Sequence, residues 1–358
     1  MKILVILPNL GGGGAEKVHI SLANNWVKNG HEVTICSGLI TPDSPFEIDK
    51  RINVIHLNCR KIRDLIFPLK KVIDEEKADR IYTAMWPLTI ISIISWIFSG
   101  RLGKLFLVEH TSFNERNAKN IMKTNLGKIS LSMKIFYGFA DGVVCVSKGV
   151  ANSINKISYV DKRKIHTIYN GLQAFPTIPK PSKVQPGNIE IISIGRLSDD
   201  KDYQTTFKAL ALLKEDGIKI KLKIIGDGPN LELLRNEAKT LKLLDNISFL
   251  GFKKNIFKYL VDADLLVHSS NFEGFSMAIL EAISCGKNVV STDTPHGPSE
   301  ILDNGKFGSL VEVGNYEAMA KAIKFRIENP ISPEVLIERS KKFSIDEASK
   351  QYLELTSR

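Results

Sequence analysis

The sequence has no C-x-x-C pair. Its four cysteines, Cys36, Cys59, Cys145 and Cys285, are scattered, which removes a metal or redox framework and suits reduced thiols in a cytosolic protein. It also lacks an apolar run that could cross a bilayer. The longest, LTIISIISWIF from Leu88 to Phe98, falls well short of the ~20 residues a membrane helix needs. No basic n-region or cleavage site opens the chain, and no short-period repeat or low-complexity tract interrupts it. These absences exclude a disulfide scaffold, a transmembrane protein and a solenoid, and leave the expectation of a cytosolic globular protein.

The chain does have length. Its 358 residues exceed the roughly 250 to 300 at which a single core stops growing, so two domains are expected. Its charge is uneven. Residues 1–172 carry 24 of the 49 basic and 14 of the 39 acidic residues, so the whole net charge of +10 lies in the first half. The excess gathers at Arg60, Lys61, Arg63, Lys70 and Lys71, and again at Arg116, Lys119, Lys123, Lys128 and Lys134. The second set alternates with Ile121, Met122, Leu126, Ile129, Leu131 and Met133. A basic amphipathic segment of that kind is expected to meet anionic lipid headgroups or another polyanion. The plainer alternative is an ordinary solvated helix face.

Short β-like runs alternate with helix-length segments from end to end: KILVIL, EVTICS, NVIHL, RIYTAM, KLFLVEH, GVVCVS and IHTIY, then IEIISIG, IKLKIIG, ISFLGF, DLLVHSS and NVVSTD. That alternation predicts an α/β fold of two doubly wound parallel sheets. Four prolines in residues 171–187 mark a linker. The predicted organisation is a first Rossmann-like domain over 1–171, a linker over 172–187 and a second Rossmann-like domain over 188–340. A C-terminal helix over 341–358 is then free to pack back on the first domain. Ligands are expected at the carboxyl ends of the strands.

The first strand runs into four glycines, Gly11 to Gly14. Glycine reaches φ > 0 and allows close approach to a ligand, so a glycine loop between strand and helix commonly holds an anion. A phosphate-binding Walker loop fails, because Lys17 is followed by Val18. The dinucleotide fingerprint is weak, because its third glycine falls on Glu16. A simple tight turn remains open.

Further on, IISIGRLSDDKDY ends a strand at Gly195 and delivers Arg196, with Lys201 near a helix start; two cations there suit a diphosphate. After the strand DLLVHSS comes NFEGFSMAILEAISCG, with Glu273 and Glu281 eight residues apart. Read as continuous helix, that spacing is roughly 12 Å, outside the about 5 to 9.5 Å of paired glycosidase carboxylates. The two would instead grip separate hydroxyl-bearing parts of one elongated ligand, with a phosphate on the helix N-terminus between them. Asp262-Ala263-Asp264 imitates a metal-binding D-x-D, but it precedes its strand, and no metal is assigned.

Taken in order, GGGGAEKV, Gly-Arg-Leu followed by Lys, EGFSMAILE and PHGPSEIL resemble the retaining family-four glycosyltransferases of GT-B fold, along essentially the whole chain. The resemblance implies two Rossmann-like domains facing across a cleft. It places the donor diphosphate on Arg196 and Lys201, ribose on Glu281, donor-sugar hydroxyls on Glu273, and phosphate or sugar on the turn Gly274, Phe275 and Ser276. It places His110 over the reacting sugar and Gly12, Gly13 and Gly14 facing the diphosphate. It implies no cofactor beyond the substrate, a nucleotide-diphosphate sugar with UDP-sugar favoured, and a hexosyl or N-acetylhexosaminyl group transferred. The basic first half adds a lipid-diphosphate-linked saccharide as acceptor in surface polysaccharide or glycan assembly, on the cytoplasmic face of the inner membrane. The rival readings are a nucleotide-sugar epimerase of similar shape and a non-enzymatic polyanion-binding protein. Nucleic acid is not expected, since the basic segments carry few aromatics for base stacking.

Overall fold

The computed structural model describes residues 1–40, 44–113, 125–173 and 189–355. The chain divides into two compact units, Met1–Gln173 with Ser344–Arg358, and Ala174–Phe343.

The first unit is built on seven strands: β1 Lys2–Leu7, β2 Glu32–Leu39, β3 Asn53–Cys59, β4 Arg80–Ala84, β5 Lys104–Glu109, β6 Gly142–Cys145 and β7 Ile165–Thr167. They pair in the order β3-β2-β1-β4-β5-β6-β7, and every pairing is parallel. Strands buried on both faces read as continuous apolar runs, as KILVIL does, because helices cover the sheet from either side. The order reverses between β1 and β4, which makes their carboxyl ends the expected ligand edge. The apolar run Leu88–Phe98 is a helix of this unit, and none of the described helices is long and apolar enough to cross a membrane.

The second unit holds β8 Ile189–Ile194, β9 Ile220–Ile225, β10 Ile247–Phe249, β11 Leu265–His268, β12 Asn288–Thr292 and β13 Ser309–Val311. These also pair in parallel, in the order β10-β9-β8-β11-β12-β13, with the reversal between β8 and β11. Its core gathers Ile191, Phe207, Leu210, Leu222, Ile224 and Val267 around the sheet.

The last described helix, Ile345–Glu354, starts four residues later than the expected 341. Ser344 caps it, its Oγ accepting from Glu347 N at 3.2 Å, and pairs with Leu172 as a parallel bridge. The helix belongs to the first unit. There Tyr352 is buried against Trp26 and Tyr82, and its carbonyl accepts from Tyr82 Oη at 2.7 Å and Arg80 Nη1 at 3.0 Å.

Candidate active site

In the second unit the strand β8 is followed directly by Gly195 and Arg196. The loop that carries Arg196 is pinned by the next strand's turn: Leu197 N donates to Asp227 O at 3.0 Å, and Asn230 N to Leu197 O at 3.1 Å. Gly226 has φ +146°, and a Cβ on it would lie 1.8 Å from Gly195 O, so only glycine allows this approach. The GDG turn thus holds Arg196 in place. Arg196 itself is exposed, and among the described residues no carboxylate is ion-paired with it.

Lys201 ends a short 3-10 turn stapled to the loop after β11. Ser269 Oγ donates to Lys201 O at 2.9 Å, Asn271 N to Asp200 O at 2.8 Å, and Tyr203 Oη to Gly195 O at 3.0 Å. This brings Lys201 Nζ to 2.5 Å from Glu273 Oε1. The same Oε1 accepts from Ser270 Oγ at 2.8 Å and lies 2.8 Å from His268 Nε2. Burial alone would raise the Glu273 carboxyl, but Lys201 and His268 beside it hold it far below the usual range. Burial likewise opposes the charge on Lys201, and Glu273 and Asp200 overcome that and raise it. Two residues assigned separate roles from the sequence are therefore a closed ion pair.

His268 was not singled out in the sequence, where it reads as the last core residue of an apolar strand. It is 5% exposed and also lies 3.2 Å from Ser276 Oγ. That contact takes Ser276 away from capping. The helix Met277–Ser284 has Ser276 at its N-cap but no side-chain cap hydrogen bond, so its first amides keep their positive pole. Phe275 is buried against Phe343 at 5.6 Å between ring centroids. Glu281 is buried at 3% exposure inside the helix, so it is not a solvated side chain of an exposed helix face. Glu273 lies in the turn before that helix, so the two glutamates are not eight helical steps apart and the ~12 Å spacing does not apply.

Asp264 lies at the amino end of β11. Its Oδ2 accepts from Glu190 N at 2.9 Å and its own N donates to Glu190 O at 2.8 Å, a sheet-edge clasp opposite the ligand edge.

In the first unit Gly12 has φ +97°, a conformation that requires glycine. A Cβ on Gly13 would lie 2.3 Å from Oε2 of Glu16, whereas one on Gly14 would meet nothing within 4 Å. Glu16 is 7% exposed and sits at the start of the helix Gly14–Lys28. The anion at this helix pole is thus the chain's own carboxylate. His110 follows β5, and its Nε2 is 3.0 Å from Nε2 of His19 on that helix, a residue the sequence reading passed over. Its neighbour Glu109 is 1% exposed and hydrogen-bonded to Tyr137 Oη at 2.5 Å and Thr89 Oγ1 at 3.3 Å. Burial pushes Glu109 up to about 7 and His110 down to about 4.

Of the basic segment, Arg116, Lys119, Lys123, Ile121 and Met122 lie outside the described residues. The helix Leu126–Phe136 that follows splits its apolar residues. Ile129 and Met133 are core residues at 0% exposure, which corrects their expected place on a lipid-facing side. Leu131 and Ile135 face outward at 60% and 52%, beside exposed Lys128.

Residues 12–174 match the Glycosyltransferase Family 4 model and residues 174–343 the model for glycosyl transferases group 1. The chain belongs to glycosyltransferase family four. This glycosyltransferase is 28% identical over 350 residues to a Campylobacter jejuni enzyme, N-acetylgalactosamine-N,N'-diacetylbacillosaminyl-diphospho-undecaprenol 4-alpha-N-acetylgalactosaminyltransferase, covering 92% of this chain and 90% of that one. It is 30% identical to a Methanocaldococcus jannaschii glycosyltransferase over 280 residues, 72% of this chain and 68% of that one. The two-unit GT-B fold superimposes on Anabaena HepE, solved in complex with UDP-glucose, with a TM-score of 0.78 at 21% identity, covering 99% and 98% of the chains.

Proposed function

We propose that this glycosyltransferase moves a hexosyl or N-acetylhexosaminyl group from a UDP-sugar to a lipid-diphosphate-linked saccharide, with retention at the anomeric carbon, in surface polysaccharide or glycan assembly. The observation that carries this reading is the gathering at one sheet edge of an exposed Arg196, a Lys201–Glu273 pair and an uncapped helix start. Arg196 and the first amides of Met277–Ser284 are placed to stabilise a leaving diphosphate as its charge develops, which preorganised donors do without reorganising. Glu281 serves the ribose hydroxyls, and Glu273, held ionised, accepts from a donor-sugar hydroxyl. His110 serves the reacting sugar in the first unit, with Gly12, Gly13 and Gly14 as bare backbone for close approach. Because Glu16 already supplies charge at that loop, the glycines suit hydroxyls better than phosphate. The acceptor class follows the diphospho-undecaprenol substrate named for the Campylobacter relative.

The enzyme works on the cytoplasmic face of the inner membrane as a peripheral protein. The outward stripe of Lys128, Leu131 and Ile135 continues into Phe139 at 45% exposure, under Arg101 at 5.6 Å from the ring centroid. Lys134 lies 4.6 Å from the centroid of the exposed Tyr159 ring. Apolar side chains ringed by cations fit an anionic interface.

The test is incubation with a panel of nucleotide sugars and a polyprenyl-diphosphate-linked saccharide, following nucleotide diphosphate release, acceptor mass and the anomeric configuration of the product. Release of UDP with an enlarged acceptor whose new glycosidic bond keeps the anomeric configuration of the donor sugar is expected, and Glu281→Gln should cut turnover severely while leaving the fold intact. Interconversion of the nucleotide sugar with no enlarged acceptor would replace this reading with epimerisation.

A further inference from the structure

His19 and His110 are 91 residues apart in the chain and meet through the same atom type, Nε2 to Nε2, at 3.0 Å. Their rings stand edge to face, with centroids 5.1 Å apart and planes at 67°. A hydrogen bond between two imidazole nitrogens requires one to carry a proton and the other a lone pair. Both rings are held neutral here. Burial, and for His19 the neighbouring His110 as well, pushes each below the ordinary histidine range. Each neutral ring carries a single proton, so the choice made by one ring fixes the other.

The choice follows from the second nitrogen of His19. The side chain is 0% exposed, and its Nδ1 has no hydrogen-bond partner among the described residues. If the His19 proton sat on Nδ1, a buried N–H would be left without an acceptor, the kind of orphan donor that folded proteins avoid. With the proton on Nε2 the donor is satisfied by His110, and only a bare lone pair is left buried. His110 must then accept at Nε2 and keep its own proton on Nδ1.

We propose that His19 is a positioning residue: by donating Nε2–H to His110 it holds His110 as the Nδ1–H tautomer, which leaves a neutral Nδ1–H to donate to a sugar hydroxyl. His19 is buried and His110 only half-buried, and with His110 Nε2 taken by His19 its Nδ1 is the nitrogen left to serve a ligand. The assignment of a sugar to His110 rests on the function proposed above. The tautomer assignment does not.

The experiment is long-range 1H–15N correlation on the full-length protein labelled at its seven histidines, with His110→Gln and His19→Gln used to assign the two rings. The cross-peak pattern of an imidazole reports which nitrogen is protonated. The expected wild-type result is Nε2–H for His19 and Nδ1–H for His110, and the opposite pair of tautomers would overturn the proposal without any variant. In His19→Phe the His110 ring should shift to a mixture containing the Nε2–H form, and kcat/KM should fall on the order of tenfold. His19→Gln, which keeps an N–H donor toward His110, should recover most of that loss. Unchanged turnover in His19→Phe with a shifted tautomer would remove the positioning role. Unchanged turnover in His110→Ala would remove His110 from the sugar site while leaving the tautomer pair standing, so the two failures are told apart.

Discussion

Lys201 Nζ lies 2.5 Å from Oε1 of Glu273, and that oxygen is shared with His268 and Ser270. A buried carboxylate with three partners is stable only while its cation is present. Lys201→Met should therefore lower stability by about 3 kcal/mol and reduce transfer as well. Arg196→Ala removes an exposed side chain, so it should shift stability by less than about 0.5 kcal/mol and lower turnover on the order of a hundredfold. Thermal unfolding and transfer assays on the two variants check this, and equal Tm losses would mean that Arg196 is structural.

Glu109 and His110 make opposite contributions to stability over one pH range. Burial raises the Glu109 carboxyl to about 7, so between roughly 4.5 and 7 the folded state binds the extra proton and stability falls as pH rises. His110 is lowered to about 4, so there the unfolded state binds the extra proton, and that contribution is lost as pH falls from about 6.5 toward 4. Glu109→Gln isolates the first effect. Its Tm relative to wild type should climb between pH 5 and pH 8, by an amount equivalent to at most about 3 kcal/mol. A difference that stays flat with pH would show that Glu109 is ionised throughout.

The D-x-D look-alike should prove structural. Asp264→Ala removes the acceptor of Glu190 N at the amino end of the second sheet, with a cost of ~1 to 2 kcal/mol. Turnover of the folded variant, and its response to EDTA, should match wild type. A selective loss of turnover with unchanged Tm would move Asp264 into the reaction.

Strand identity was legible because strands of a doubly wound sheet are apolar, short and separated by helix-length segments; all twelve quoted runs are strands. Arg196, Lys201 and Glu273 were legible because each lies where a strand ends or a helix begins, and Glu281, inside the helix, was legible only by its spacing from Glu273. The pairing of Lys201 with Glu273 was not, since the two are 72 residues apart. His268 and His19 carry no local signal. One completes an apolar strand and the other sits in an amphipathic helix, and their partners are supplied by tertiary packing. The helix Leu126–Phe136 shows the same limit, because spacing alone did not distinguish buried Ile129 and Met133 from exposed Leu131 and Ile135.

That outward stripe makes the proposed membrane binding separable into two parts. Lys128→Glu should weaken cosedimentation with anionic vesicles on the order of tenfold at low salt and much less at high salt, since screening has then removed the charge contribution. Leu131→Ser with Ile135→Ser should weaken it at both, since apolar insertion is not screened. No binding to anionic vesicles, or equal binding to neutral ones, would leave this face as ordinary solvated surface.

The bridge between Leu172 and Ser344 means that the polypeptide leaves the first unit and re-enters it at neighbouring points. In topological terms the second unit is an insertion into the first, closed off before the chain finishes its own first fold. A ribosome therefore releases the residues around Trp26 and Tyr82 long before Tyr352 exists to cover them. It also means that joining Leu172 to Ser344 through a short loop would recover the whole first unit, C-terminal helix included, as a single uninterrupted gene product, which a truncation after Gln173 would not.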